Sequence, residues 1–283
     1  MDVKRAEFAG SWYPASANEC EQKIKTYIES SGTEGLPAKE YSAGIAPHAG
    51  WYYSGNIACN VIKLLKGNVQ PDLIILFGKH MHWNAKPSIL TNSSCETPFG
   101  NLETDDAFAE ELQKRLSMKK ETGSTFSPEN TIELQLPFVK YFFGDVKIAV
   151  IGVPPGDEAV TLGSTSIEVC KSMGKNVKVI GSTDMTHYGE NFGFTPAGTG
   201  RKAAEWVRNK NDKKMIDVML AMDTQKILME ADENQNACCS GAVVATVAAA
   251  KMMGIDCGEK VAYSTSYELS PGDSFVGYAG IVY

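Results

Sequence analysis

No C-x-x-C pair occurs among the 283 residues, which removes zinc ribbons and thioredoxin-type redox motifs. The seven cysteines (Cys20, Cys59, Cys95, Cys170, Cys238, Cys239 and Cys257) are odd in number and irregular in spacing, so no disulfide framework is expected. Most read as small buried apolar residues, and the adjacent Cys238-Cys239 is the pair that stands out. Gly78-Lys79 lacks the upstream glycine of a phosphate loop, and no G-x-G-x-x-G follows a strand. G-x-S-x-G and H-E-x-x-H are also missing, which disfavours a standard α/β hydrolase and a zincin. No apolar run reaches the length of a membrane span, and Met1 to Arg5 leads into no signal-peptide core, so a cytoplasmic location is expected. A net charge of −7 argues against broad binding to nucleic acid or to an anionic membrane. Neither repeat nor linker divides the chain, and residues 1–283 read as one domain.

Histidine is scarce as well, with only His48, His80, His82 and His187, and each sits just after an apolar run, in or next to a glycine-containing turn. Random placement would also put histidines on helices and open surface. In open α/β sheets, ligands bind outside the carboxyl ends of strands, so this clustering marks a candidate site. The central stretch is Pro47-His48-Ala49-Gly50-Trp51-Tyr52-Tyr53-Ser54-Gly55. A short strand over 44–46 delivers His48 to a loop whose aromatics can wall a pocket, and a helix is expected over 56–65. The run over 72–77 reads as a buried strand ending in Gly78-Lys79-His80-Met81-His82. The two strands and the helix between them suggest a right-handed βαβ unit with His48 and His80 on adjacent strands.

Elsewhere a helix is expected over 16–28, capped by Ser16 or Asn18, followed by a Gly-, Ser- and Pro-rich loop over 30–39. Asp105 caps a helix through 116, residues 119–129 read as loop, and a helix follows over 131–141. Strands are expected over 146–153 and 177–182, with a helix over 158–173 between them. Two or three surface helices follow over 201–233, then an apolar helix over 240–253 and two closing strands over 260–267 and 274–283. The strand at 177–182 runs into Thr183-Asp184-Met185-Thr186-His187, a third strand-end histidine.

The chemistry-bearing residues are therefore His48, His80 (or His82), His187, Asp184 and Cys238-Cys239. Imidazole suits iron, copper and zinc, and a thiolate suits zinc or copper. Asp184, three residues before His187, is placed to orient that imidazole. Each also has a plain structural reading: a hydrogen-bonded loop histidine, an Asx turn, or two small buried residues.

Five motifs occur in order: Ala9-Gly10-Ser11-Trp12-Tyr13-Pro14, the His48 stretch, Thr97-Pro98-Phe99-Gly100, Ile132-Glu133-Leu134-Gln135-Leu136-Pro137 and Ser182 to Gly189. With Asp273-Ser274-Phe275-Val276-Gly277-Tyr278 at the end, the chain resembles the Memo family along nearly its whole length. The resemblance implies a single α/β domain related to class III extradiol ring-cleaving dioxygenases, with a mixed, mostly parallel central sheet flanked by helices. It also implies a strand-end vestibule with a metal site of two histidines and a cysteine, here His48, His80 and Cys238. His82 and Cys239 stand as alternative ligands. Further polar residues of the vestibule map to His187 and Asp184, here read as acid/base or anion-anchoring groups, and Trp12, Tyr53 and Asn130 map to its substrate-facing wall. The implied cofactor is Fe(II) or copper, with zinc an alternative, and the implied activity is redox or dioxygenase-like chemistry. The alternative is a non-catalytic binder of phosphorylated or other anionic peptides. Expected partners are a small aromatic or anionic ligand or a peptide, and a radical S-adenosylmethionine protein. This chain departs from the family pattern at Phe77-Gly78-Lys79, at Asn130 where a histidine is usual, and at Cys239 where glycine is usual.

Overall fold

Alternate residues of the apolar runs face opposite sides of one sheet, as the period of two requires. In the computed structural model, which describes residues 2–30 and 35–283, Leu73, Ile75 and Phe77 enter one core while Ile74 and Leu76 enter another. Residues 31–34 of the expected 30–39 loop lie outside the described residues. The strands are β1 (Asp2–Lys4), β2 (Ala43–Ala46), β3 (Leu73–Gly78), β4 (Ser88–Leu90), β5 (Ser93–Cys95) and β6 (Leu102–Glu103). They continue as β7 (Lys119–Glu121), β8 (Lys147–Gly152), β9 (Val177–Ser182), β10 (His187–Tyr188), β11 (Glu259–Thr265) and β12 (Phe275–Val282).

The main sheet runs β10-β12-β2-β9-β3-β8-β4-β7, with β11 also paired to β12, and β1-β5-β6 form a small separate sheet. Its centre, β2-β9-β3-β8, is parallel, and β12 and β4 add to it antiparallel. The expected α/β fold with a mixed sheet is therefore what the chain adopts. Among the described residues, no helix is long and apolar enough to cross a membrane.

On one face pack the helices Ser240–Met252, Glu158–Ser172, Asp106–Arg115 and Asp212–Leu220. On the other lie Ala17–Glu29, Trp51–Leu64 and Leu136–Phe143. The first pair approaches closely because Gly163 has no side chain: a Cβ there would sit 2.1 Å from the Ala245 carbonyl oxygen. Burial of both sheet faces explains why the central strands read as continuous apolar runs.

Several expectations are corrected. β2 and β3 are not neighbours, because β9 lies between them and pairs with both. The helix after His48 begins at Trp51 rather than Asn56, so Trp51, Tyr52 and Tyr53 form its first turn. Its N-cap is Gly50, which has no side chain to cap with, so the usual start signal is missing. Residues 119–121 form strand β7, not loop, and 207–211 form a π-helical turn within the 200–220 helical region.

Candidate metal centre

Three consecutive strands of the sheet, β2, β9 and β3, end side by side, and each passes at once into a residue of the site. Pro47 and His48 follow β2, Thr183 and Asp184 follow β9, and Lys79 and His80 follow β3. β9 lies between the two strands, yet the rings of His48 and His80 meet edge-to-face with centroids 5.1 Å apart. Lys79 takes a φ of +72°, an uncommon conformation for a non-glycine residue, which turns the chain sharply before His80. The Lys79 N–H donates to Thr131 Oγ1 at 2.8 Å, and Lys79 Nζ meets buried Glu121 at 2.7 Å.

Both imidazoles are held through Nδ1. His48 is buried, with Nδ1 2.9 Å from the Ser182 hydroxyl, which also receives Gln135 Nε2 at 3.3 Å. His80 Nδ1 lies 3.2 Å from Glu129 Oε1, and its backbone N–H donates to Glu129 Oε2 at 3.3 Å. With Nδ1 so engaged, Nε2 of each ring is left to face the site, the arrangement usual for metal-ligating histidine. His48 Nε2 lies 3.3 Å from Cys238 Sγ.

Cys238 and Cys239 immediately precede the helix Ser240–Met252, and Gly241 in its first turn lets the helix start lie on the chain at Pro154, where a Cβ would be 2.4 Å from the carbonyl oxygen. The Cys238 N–H donates to the Asp184 carbonyl at 3.2 Å, and the Cys239 N–H donates to Thr183 Oγ1 at 3.1 Å. Cys238 Sγ accepts from the Asp184 N–H at 3.3 Å. One donor atom from each of His48, His80, Cys238 and Cys239 can be chosen so that all four lie within 4.8 Å of one another.

The electrostatics favour a cation. Burial pushes the Cys238 thiol up, but contact with Cys239, His48 and His80 outweighs it and brings the thiol well below the usual range. Cys239 moves the opposite way, raised by its bond to Cys238 and by burial. His80 rises to about 10 through its contacts with Cys238 and Glu129, and His48 rises because Asp184 and Cys238 outweigh a burial that opposes its charge. Burial holds Asp184 above the usual carboxylate range, against the attraction of His48. Protonated imidazoles would balance the thiolate and the nearby carboxylates, and a metal ion held by the nitrogen and sulfur donors would balance them in place of those protons. The donor set therefore fits the metal that the resemblance implies.

Above the donors lies a cavity of about 550 Å³ whose lining includes His48, His80, Asp184 and His187 with Trp12, Tyr53 and Phe192. Asn130 also reaches it while donating Nδ2 to the His48 carbonyl at 3.1 Å, so it helps to hold the His48 loop. His187 stands at the cavity wall against Phe192, with Nδ1 3.2 Å from the Met185 carbonyl. The expected Asp184–His187 pairing takes another form: Asp184 Oδ1 accepts from the His48 backbone N–H at 2.7 Å, with Oδ2 3.9 Å from His48 Nε2. His82 is outside the site, bonded to Asn84 at 2.6 Å on the surface.

The Memo-like protein family model matches residues 4–282. The chain belongs to the Memo family. A MEMO1 family protein of Pyrococcus furiosus is 30% identical, covering 99% of this chain and 98% of its own. Another, from Pyrococcus horikoshii, is 31% identical over 97% of each. The crystal structure of an uncharacterized Escherichia coli K12 protein superposes with a TM-score of 0.54 at 7% identity, covering 86% of this chain and 99% of the other, a likeness of fold alone. Within the Memo-family frame, reading the motifs missed three supports of the centre: Glu129, Ser182 and Gln135. Glu129 lies just before the Ile132–Pro137 motif, Gln135 lies within it and Ser182 opens another, so order along the chain held the only signal for them.

Proposed function

We propose that this Memo-family chain is a metal-dependent redox protein that holds Fe(II) or copper on His48, His80 and Cys238 and acts on a small aromatic or phenolic ligand in the adjoining cavity. The observation that carries the reading is the convergence of the donor atoms within 4.8 Å at the edge of an aromatic-walled cavity of about 550 Å³. A bound iron or copper ion supplies electron transfer and reactivity toward dioxygen.

The protein's own residues do the rest. Ser182 and Glu129 fix the two imidazoles, and Asp184 and Asn130 hold the backbone of His48 at its N–H and its carbonyl. Trp12 and Tyr53 offer ring faces that a flat ligand can stack on. His187, with Nδ1 occupied by the Met185 carbonyl, presents Nε2 as the group that takes or returns a phenolic proton. Zinc is the alternative metal, because Cys239 would complete a set of two sulfurs and two nitrogens. A phosphorylated peptide is the weaker ligand class: among the described residues lining the cavity, none is Lys or Arg.

The test is metal content after anaerobic purification, for the parent and for His48→Ala, His80→Ala and Cys238→Ser. Near-stoichiometric iron or copper, lost in all three variants, is the expected result. Metal retained in the variants refutes the ligand set, and no metal even after reconstitution refutes the metalloprotein reading.

A further inference from the structure

The donor cluster is open to a second cavity. The vestibule reaches it at His48 and His80, whereas a separate cavity of about 510 Å³ reaches it at Cys238, and the two share no lining residue. The second cavity is walled by Trp83, Pro155, Leu228 and Met229, with Asp232 its one charged lining residue. Trp83 and Met229 are largely exposed although apolar. Beside Cys238 lies buried Cys239, its sulfur 3.9 Å away. The backbone of both residues is pinned to Thr183 and Asp184, so the sulfurs are held as neighbours.

We propose that Cys238 and Cys239 are a redox-active vicinal dithiol, oxidised through this second cavity by small uncharged disulfides. The walls select the occupant: apolar surfaces admit an uncharged organic group, Asp232 repels an anionic one, and Cys238 is the one thiol residue among the described residues of the lining. Cys238 Sγ attacks one sulfur of the disulfide RSSR, forming Cys238–S–SR and releasing RSH, which carries off the proton that Cys238 gives up. Cys239 Sγ then attacks Cys238 Sγ, forming the Cys238–Cys239 bond and releasing the second RSH with the proton of Cys239. The protein loses two electrons and two protons, and RSSR gains both. Adjacent residues across a trans peptide have Cα atoms about 3.8 Å apart, short of the usual disulfide span of roughly 4.4–6.8 Å, so the product is strained and readily reduced again. That makes it a reversible state. Its effect on metal rests on the ligand set proposed above, because a sulfur in a disulfide is lost as a thiolate donor; formation of the disulfide itself does not depend on that ligand set.

The probe is 4,4′-dithiodipyridine, an uncharged aromatic disulfide, applied to the full chain as purified and after chelation. Exposed Cys257 is replaced by Ser to silence it; the other four cysteines are buried. Two thiopyridones released per chain, with the 238–239 peptide lighter by two hydrogens and free of adduct, is the expected result. Cys239→Ser should release one and keep the adduct, and Asp232→Trp, at an exposed position on the cavity wall, should slow the reaction severalfold. No reaction in the chelated parent, or one thiopyridone with a retained adduct, overturns the dithiol. An unchanged rate in Asp232→Trp overturns the route. Disulfide formation with bound metal retained leaves the dithiol standing and refutes Cys238 as a ligand.

Discussion

Replacing Asp212 by Asn should change how stability depends on pH, and the structure sets the size of the change. Asp212 is fully buried, its Oδ1 accepting from the Thr186 N–H at 3.1 Å and from the Thr186 hydroxyl, its Oδ2 from the Tyr263 hydroxyl at 2.7 Å. Burial nonetheless raises its pKa from the ordinary 3.8 to about 6, outweighing these donors. A carboxyl raised in the folded state binds its proton more tightly there than in the unfolded chain. The resulting stabilisation is fully present below the unfolded value and is lost as pH rises through about 6. The rise corresponds to about 3 kcal/mol at roughly 1.4 kcal/mol per pH unit. Glu121 and Glu129 act in the opposite sense: burial opposes their charge, but Lys79 and His80 hold them below the usual range, so they add stability as pH rises. The difference between parent and Asp212→Asn cancels those groups. Urea unfolding of both proteins from about pH 4, where the unfolded carboxyl is already partly ionised, to about pH 7 should show the parent losing about 2 kcal/mol relative to the variant. A difference flat to within about 1 kcal/mol, or one rising with pH, refutes the reasoning. Thr186 precedes His187, so the same titration acts on the strap that carries the histidine of the cavity wall.

Glu129→Gln keeps the shape of the His80 support but removes its charge, and metal affinity should fall by about 10- to 100-fold in a competition titration; unchanged affinity would show that Glu129 does not orient the ligand. Lys79→Met leaves Glu121 buried with the exposed Lys119 as its remaining cation and should cost about 3–5 kcal/mol in urea unfolding, most of it recovered when Glu121→Leu is added. A loss below about 1 kcal/mol would mean that solvent reaches the pair.

Much of this arrangement could be read in the sequence because its largest part is local. An apolar run of strand length followed at once by histidine says which end of the strand the imidazole occupies, and that sufficed for His48 and His80. Strand order is not local. That β9 inserts between β2 and β3 depends on pairing between residues more than a hundred positions apart, and no pattern within either strand announces it. Lys119-Lys120-Glu121 carries no apolar alternation and so reads as loop, yet β7, an end strand paired to β4, needs none. Glu129 showed only as a neighbour of a motif, because one loop carboxylate has no periodicity and declares its role only through the ring it supports.

The nitrogen and sulfur donors of the centre therefore rest on different foundations. The imidazoles follow β2 and β3, parallel strands fixed by main-chain ladders on either side of β9. The sulfurs precede the helix Ser240–Met252, whose position depends on close glycine contacts, Gly163 against Ala245 and Gly241 against Pro154. Ladder hydrogen bonds constrain register closely, and the helix is held by close packing in which a single added methyl is felt. Strain in the helix packing should thus move the thiols before the imidazoles. Gly163→Ala, which crowds the Ala245 carbonyl, should therefore shift the sulfurs while the histidine side of the centre keeps its shape.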